Sequence, residues 1–143
     1  MVIRIAWVDS SGNIKQLFTP ADFSPYAEGQ EQEGLTLQYC GDGITPDSHY
    51  WDNGWHAKPA KPGDYYDWVS GAWVLNSDVL LSIIRLNRDT KLIESDWTVM
   101  PDSPLTPAKI EEWATYRQAL RDFPATNSNA VDLDSLIWPL KPS

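Results

Sequence analysis

His49 and His56 stand seven positions apart with Asp47 and Asp52 close by, and together they are the nearest approach in the chain to a metal-ligand set. A transition metal needs three or four convergent donors, usually announced by a tight His pair or a Cys cluster. Neither is present, so the two histidines read as hairpin or surface residues. Asp42, Asp47, Asp52, Asp64 and Asp67 could supply the carboxylate pair of a glycoside hydrolase. Most of them adjoin Gly, Pro or Asn, where Asp serves turn geometry instead. Ser10, Ser11 and Ser70 lie in turn-like sequence without a nucleophile elbow. Gly-rich phosphate-loop spacing is missing. Cys40, the single cysteine, has no neighbour in sequence that would lower its pKa. It reads as a small, partly buried side chain. No catalytic residue, metal site or cofactor is expected.

Tryptophan is the other residue type with chemical reach. The chain has 8 Trp and 11 Pro in 143 residues, with a net charge of -9. Trp51, Trp55, Trp68 and Trp73 admit three readings: packing in a β core or as cross-strand pairs, contact with a protein partner, or stacking on sugar rings. The negative charge argues against nucleic acid, which demands a basic face to displace counterions from phosphate. It argues equally against an anionic membrane surface. No stretch approaches the roughly 18 apolar residues of a membrane span. A single cysteine rules out an internal disulfide, and Met1 to Asp9 lacks the apolar core of a signal peptide. A cytoplasmic setting is expected.

These residues must be positioned by two composition regimes that meet near Leu75–Ser77. In the first, Ile3, Ile5 and Trp7 alternate, Ser11-Gly12-Asn13 supplies a turn, and Ile14 to Phe18 returns as a hairpin partner. Asp22 to Gly34 reads as a loop, and Leu35, Leu37 and Tyr39 alternate again. Two related hairpin units follow: Tyr50-Trp51-Asp52-Asn53-Gly54-Trp55 and Asp67-Trp68-Val69-Ser70-Gly71-Ala72-Trp73. Lys58 to Pro62 joins them in extended form.

The second regime is helical. Ser77 is expected to cap a helix with Asp78 in its first turn. Leu80, Ile83, Ile84 and Leu92 supply its apolar stripe. Pro101 and Pro104 interrupt the helical pattern. Thr106 then takes an N-cap position with Pro107 as first helical residue. Ile110, Trp113, Tyr116 and Leu120 define one face, and Phe123-Pro124 is expected to end the helix. Trp97, Trp113 and Trp138 fit core packing or a subunit seam better than a ligand site. Arg117 and Arg121, four apart, are either a solvated stripe or partners of Asp96 and Asp102 that fix the angle between the helices. A helical part of about 50 residues is too small to bury a stable core alone, so it must dock or self-associate. The expected fold is α+β: an antiparallel β domain (sandwich-like) over 1–76, then a two-helix region over 77–143.

One resemblance stands beside this reading. Arg88, Leu92, Ser95-Asp96-Trp97-Thr98, Pro101-Asp102, Pro104-Leu105, Trp113, Tyr116-Arg117-Gln118-Ala119-Leu120-Arg121-Asp122, Pro124 and Trp138-Pro139 keep the order and spacing of a known pattern. The segment resembles the C-terminal part of bacteriophage tail-fibre assembly chaperones. Val99-Met100 departs from the Gln-Leu usual after Trp-Thr in that family, and Phe123 replaces an aliphatic residue.

The resemblance implies a non-enzymatic protein that binds the distal part of a trimeric tail fibre and assists its folding and trimerisation. It implies an equimolar complex and action in the host cytoplasm, with retention on the virion fibre as a variant. Tyr50, Trp51, Trp55, Trp68 and Trp73 are then expected to contact the fibre. Trp97, Trp113, Tyr116, Arg117, Leu120 and Arg121 are expected at a seam between chaperone copies. The competing function is a structural or receptor-binding part of the fibre itself, with its Trp residues on sugars.

Overall fold

The computed structural model describes residues 2–143. The chain divides into two units, Met1–Val74 and Leu75–Ser143. The first holds antiparallel strands and the second two helices, so the fold is α+β.

The N-terminal unit is organised by β1 (Arg4–Val8) and β4 (Leu35–Cys40), the inner strands of a four-stranded sheet. β2 (Ile14–Phe18) flanks β1, and β3 (Glu31–Gln32) flanks β4. Ile5 faces Tyr39 in one ladder and Phe18 in the other. The sheet is apolar on both faces. Ile5, Trp7 and Leu37 pack with Phe18, Phe23 and Tyr26 on one side. Ala6, Val8, Ile14 and Cys40 pack with Leu17, Ile44, Trp51 and Trp55 on the other. Burying a side chain such as Ile5 or Leu37 completely contributes about 1.5–3 kcal/mol. This two-sided burial explains why β1 is buried from Ile5 through Val8 rather than at alternate positions.

Asp22 to Gly34 is not wholly a loop, because β3 lies inside it. Glu33 and Gly34 both take positive φ (51° and 78°) and return the chain in two residues, so Glu31 pairs with Thr36 and Gln32 with Leu35. The remainder of that stretch covers the sheet, where the Tyr39 hydroxyl donates to the Tyr26 carbonyl at 2.8 Å.

Two further hairpins complete the unit: β5 (His49–Trp51) with β6 (Trp55–Ala57), and β7 (Tyr66–Val69) with β8 (Ala72–Leu75). The first turns through Asp52, Asn53 and Gly54, which places Trp51 opposite Trp55. The second turns through Ser70 and Gly71, whose φ of 48° and 85° match the two-residue turn that follows strand twist.

The C-terminal unit is a helical hairpin. Helix α1 spans Ser77–Glu94 and α2 spans Pro107–Thr126, with a 3-10 turn at Asp96–Val99 between them. Asn76, not Ser77, caps α1: its backbone is extended and its side chain accepts from the Val79 amide at 3.1 Å. That shift of one residue sets Ser77 inside the helix. Thr106 caps α2 as expected, with Pro107 behind it. Helix α2 does not stop at Phe123-Pro124 but runs on to Thr126. Three donors converge on the Phe123 carbonyl: the Asn127 amide at 3.1 Å, Asn127 Nδ2 at 2.9 Å and the Thr126 hydroxyl at 3.0 Å. They hold the final turn despite the proline, which removes one amide donor.

Candidate functional site

In the N-terminal unit the aromatic residues collect around the two late hairpins. Trp51 and Trp55 meet edge to face at 5.2 Å, and the Trp55 indole donates to the Tyr39 carbonyl at 2.8 Å. Tyr50 stacks on His56 at 5.3 Å and lies 5.0 Å from Trp68, which meets Trp73 edge to face at 5.1 Å. Tyr50, Trp51, Trp55 and Trp73 are half-buried, whereas Trp68 is buried. The five residues expected to face a partner therefore fall into two groups: Trp51 and Trp55 pack against the sheet core, and Tyr50, Trp68 and Trp73 adjoin one another beside His56. The Trp68 indole nitrogen is buried without a hydrogen-bond partner among the described residues.

Sequence reasoning passed over two lysines here. Lys58 Nζ lies 5.3 Å from the Trp68 ring centre and 5.7 Å from that of Trp73, and Lys61 Nζ lies 5.7 Å from Trp73. Such cation–π contacts contribute about 0.5–1 kcal/mol at exposed sites. They also put cations where a sugar ring would stack, which weighs against the carbohydrate reading. Burial pushes the Lys58 ammonium below its ordinary pKa, with Asp47 opposing and Lys61 reinforcing the shift. The Lys-Pro spacing offered a faint signal: Trp73 Nε1 donates to the Pro59 carbonyl at 2.8 Å, which holds the lysine-bearing segment against the rings.

The candidate chemical groups are held by turn geometry. His56 Nε2 lies 3.0 Å from the Asp52 carbonyl oxygen. His49 Nδ1 lies 2.8 Å from Ser48 Oγ, which is itself 2.6 Å from Thr45 Oγ1. Among the described residues no group of three or more His, Cys, Asp or Glu side chains is placed to hold a metal. Cys40 is buried, and burial pushes its thiol up, with Arg4 pulling the other way. A raised thiol is a poor nucleophile near neutrality. No described helix is long and apolar enough to cross a membrane.

In the C-terminal unit, Arg117 joins the helices. Its Nη1 donates to the Leu92 carbonyl at 2.8 Å and to Ser95 Oγ at 2.7 Å, and its Nη2 reaches Asp96 at 2.8 Å. Trp113, Tyr116 and Leu120 form the buried core beside it, with Leu92, Leu105 and Trp138 against them. Burial, and then the Glu94 charge, pushes the Tyr116 phenol up. Trp138 folds back to stack on Phe123 at 4.0 Å, and Lys91 lies 5.1 Å from the Trp138 ring centre. Of the six residues expected at a seam between copies, Trp113, Tyr116, Arg117 and Leu120 are buried inside one chain. Their side chains are occupied in holding the hairpin together. Trp97 and Arg121 remain exposed. Trp97 packs edge to face on Trp113, next to exposed Val99 and Met100.

Residues 81–143 match the family described as phage tail assembly chaperone protein. The match lies in the C-terminal region and covers less than half of the chain. The matched span begins within α1 and takes in the Arg117 network, the aromatic core and the returning tail. The likeness to phage tail assembly chaperones thus lies in the helical unit, whereas the aromatic hairpins lie outside the match. No curated protein and no solved structure matches the chain.

Proposed function

We propose that the chain is a phage tail assembly chaperone that serves a tail fibre: it binds the distal part of a trimeric fibre protein and assists its folding and trimerisation. The family match over residues 81–143 carries the reading. The need for such help is physical. Intertwined fibre chains make non-local contacts, which form slowly and leave strand edges open to aggregation. A binder that covers those edges raises the yield of correct trimer. It works by binding rather than by covalent chemistry, in the host cytoplasm where the fibre is made.

The aromatic hairpin surface supports the client-binding half of the proposal. Tyr50 and Trp73 present half-buried rings on Trp68, and rings bury large area with few rotors to immobilise. The net charge of -9 keeps the free chaperone from aggregating. A threefold client is most simply met by three chaperones around the same axis. We assign the meeting of copies to the helical unit, through Trp97, Val99, Met100 and Arg121, all exposed. Light scattering of the complex co-purified with the fibre protein tests this arrangement. The mass of three fibre chains with three chaperones is expected; one chaperone on a fibre trimer overturns it.

A further inference from the structure

The four-stranded sheet has two outer strands of different build. β3 is two residues long and lies between Glu28 and Glu33, a short acidic edge of the kind that resists pairing. β2 is five residues long and pairs with β1 alone. Among the described residues, the backbone of Ile14–Phe18 shows no hydrogen bond beyond that ladder. The outward N–H and C=O groups of such an edge are a template for another strand.

This edge opens at its start onto a cleft of about 360 Å³. Ile14 and Lys15 line it on the β2 side, and Lys58, Lys61, Trp68 and Trp73 on the hairpin side. The unit has four basic side chains, Arg4, Lys15, Lys58 and Lys61, and all but Arg4 border this cleft. Lys15 is shared with Asp9 at 3.1 Å, Lys58 Nζ donates to the Pro46 carbonyl at 2.6 Å, and Asp47 and Asp67 also line the space. Lys61 is exposed, and among the described residues no carboxylate lies within ion-pair distance of it. In an acidic unit, the cationic side chains are gathered beside the longer outer edge of the four-stranded sheet.

We propose that β2 accepts an added strand from the client: an extended segment bearing acidic side chains, its backbone paired to Ile14–Phe18 and its carboxylates set against Lys61 and Lys58. The proposal rests on the chaperone reading and deepens it by naming the mode of contact. Backbone pairing supplies affinity and the side-chain cleft supplies selection, as in other strand additions. A chaperone that lends a strand edge satisfies the client's unpaired backbone until its own neighbouring chains take over.

The test is hydrogen exchange on the full-length chain, alone and co-purified with the fibre protein of the same phage. Amides of Ile14–Phe18 are expected to slow by about tenfold or more in the complex, while those of Glu31 and Gln32 stay as they were. Lys61→Glu, at an exposed position, is expected to weaken the complex by about tenfold at low salt without moving the melting temperature. A complex that forms with Ile14–Phe18 exchange unchanged overturns strand addition and leaves the chaperone reading standing. Full affinity in Lys61→Glu overturns the acidic character of the guest strand. Absence of any complex overturns both readings.

Discussion

Arg117 Nη1 lies 2.7 Å from the hydroxyl oxygen of Ser95, which is fully buried where α1 gives way to the 3-10 turn. The Ser95 hydroxyl also lies 2.9 Å from the Leu92 carbonyl and 3.1 Å from that of Lys91. One guanidinium therefore gathers the end of α1, the turn and α2 into a single network. Its fork geometry suits this, since an ammonium has no planar set of donors. Arg117→Ala is expected to destabilise the helical unit by about 2–3 kcal/mol, because buried oxygens lose a charged donor. Arg117→Lys recovers a minor part of that, and Asp96→Asn costs less because Asp96 is exposed. Urea titration followed by far-ultraviolet circular dichroism checks the order. An Arg117→Ala protein as stable as the parent, assembling fully with its client, contradicts the role given to this residue.

The Trp138–Phe123 stack fastens the C-terminal tail to α2. Trp138→Ala is expected to cost about 2–4 kcal/mol through lost area and ring contact. Lys91→Ala is expected to cost less than about 1 kcal/mol. Limited proteolysis gives a second readout: cleavage in the tail should rise sharply in Trp138→Ala and little in Lys91→Ala.

Gly12 and Gly34 share a φ of 78° but not their surroundings. A Cβ on Gly12 would lie 2.0 Å from the Trp51 carbonyl oxygen, whereas on Gly34 it would meet nothing within 4 Å. The Gly12 carbonyl also accepts from the Trp51 amide at 2.9 Å, so the β1–β2 turn seats the β5–β6 hairpin. Gly34→Ala should cost about 1–2 kcal/mol, the ordinary penalty of left-handed backbone. Gly12→Ala should cost clearly more and disturb Trp51 and Trp55 fluorescence. Equal losses at the two positions would contradict the close approach.

Asp9 organises the β1–β2 turn. It accepts from the amides of Ser11 and Asn13, each at 2.9 Å, from Asn13 Nδ2 at 3.2 Å, and pairs with Lys15. Burial alone would raise its pKa, but these bonds, led by the two from Asn13, outweigh it and hold the carboxyl below its ordinary value. The unfolded chain then binds the proton more readily. The resulting stability is fully present above the unfolded value of about 3.9 and is lost as pH falls through the folded value. The stability gap between the parent and Asp9→Asn should therefore be widest above about pH 5 and narrow on acidification. A gap that does not change between neutral and acid pH refutes the assignment.

The local signals were the readable part of the sequence. Thr106-Pro107 marked the start of α2, and Ser70-Gly71 marked a two-residue turn, because capping and positive-φ preferences depend on a few adjacent residues. The Arg117–Asp96 pair was legible as one of two alternatives, since Arg117 and Arg121 stand four apart on one helix face with Asp96 and Asp102 as acidic candidates before them. What failed depended on distant partners. Pro124 looked like a helix stop until the Phe123 carbonyl proved to be held by Thr126 and Asn127. The seam expectation for Trp113, Tyr116, Arg117 and Leu120 treated the helical part as too small for its own core, and it did not foresee that these side chains pack within one chain. Leu105 and the returning Trp138 supply the missing apolar surface. Lys58 and Lys61 attracted no attention because a lysine's ring partners cannot be read from spacing.

The central claim is that this chain helps a fibre protein reach its trimer. The most direct measurement is the yield of soluble fibre trimer when the fibre gene is expressed with and without this chain. The account predicts insoluble or monomeric fibre alone and soluble trimer with it, the gain falling away when Tyr50 and Trp73 are both changed to Ala. A fibre protein that forms the same amount of soluble trimer without this chain contradicts it.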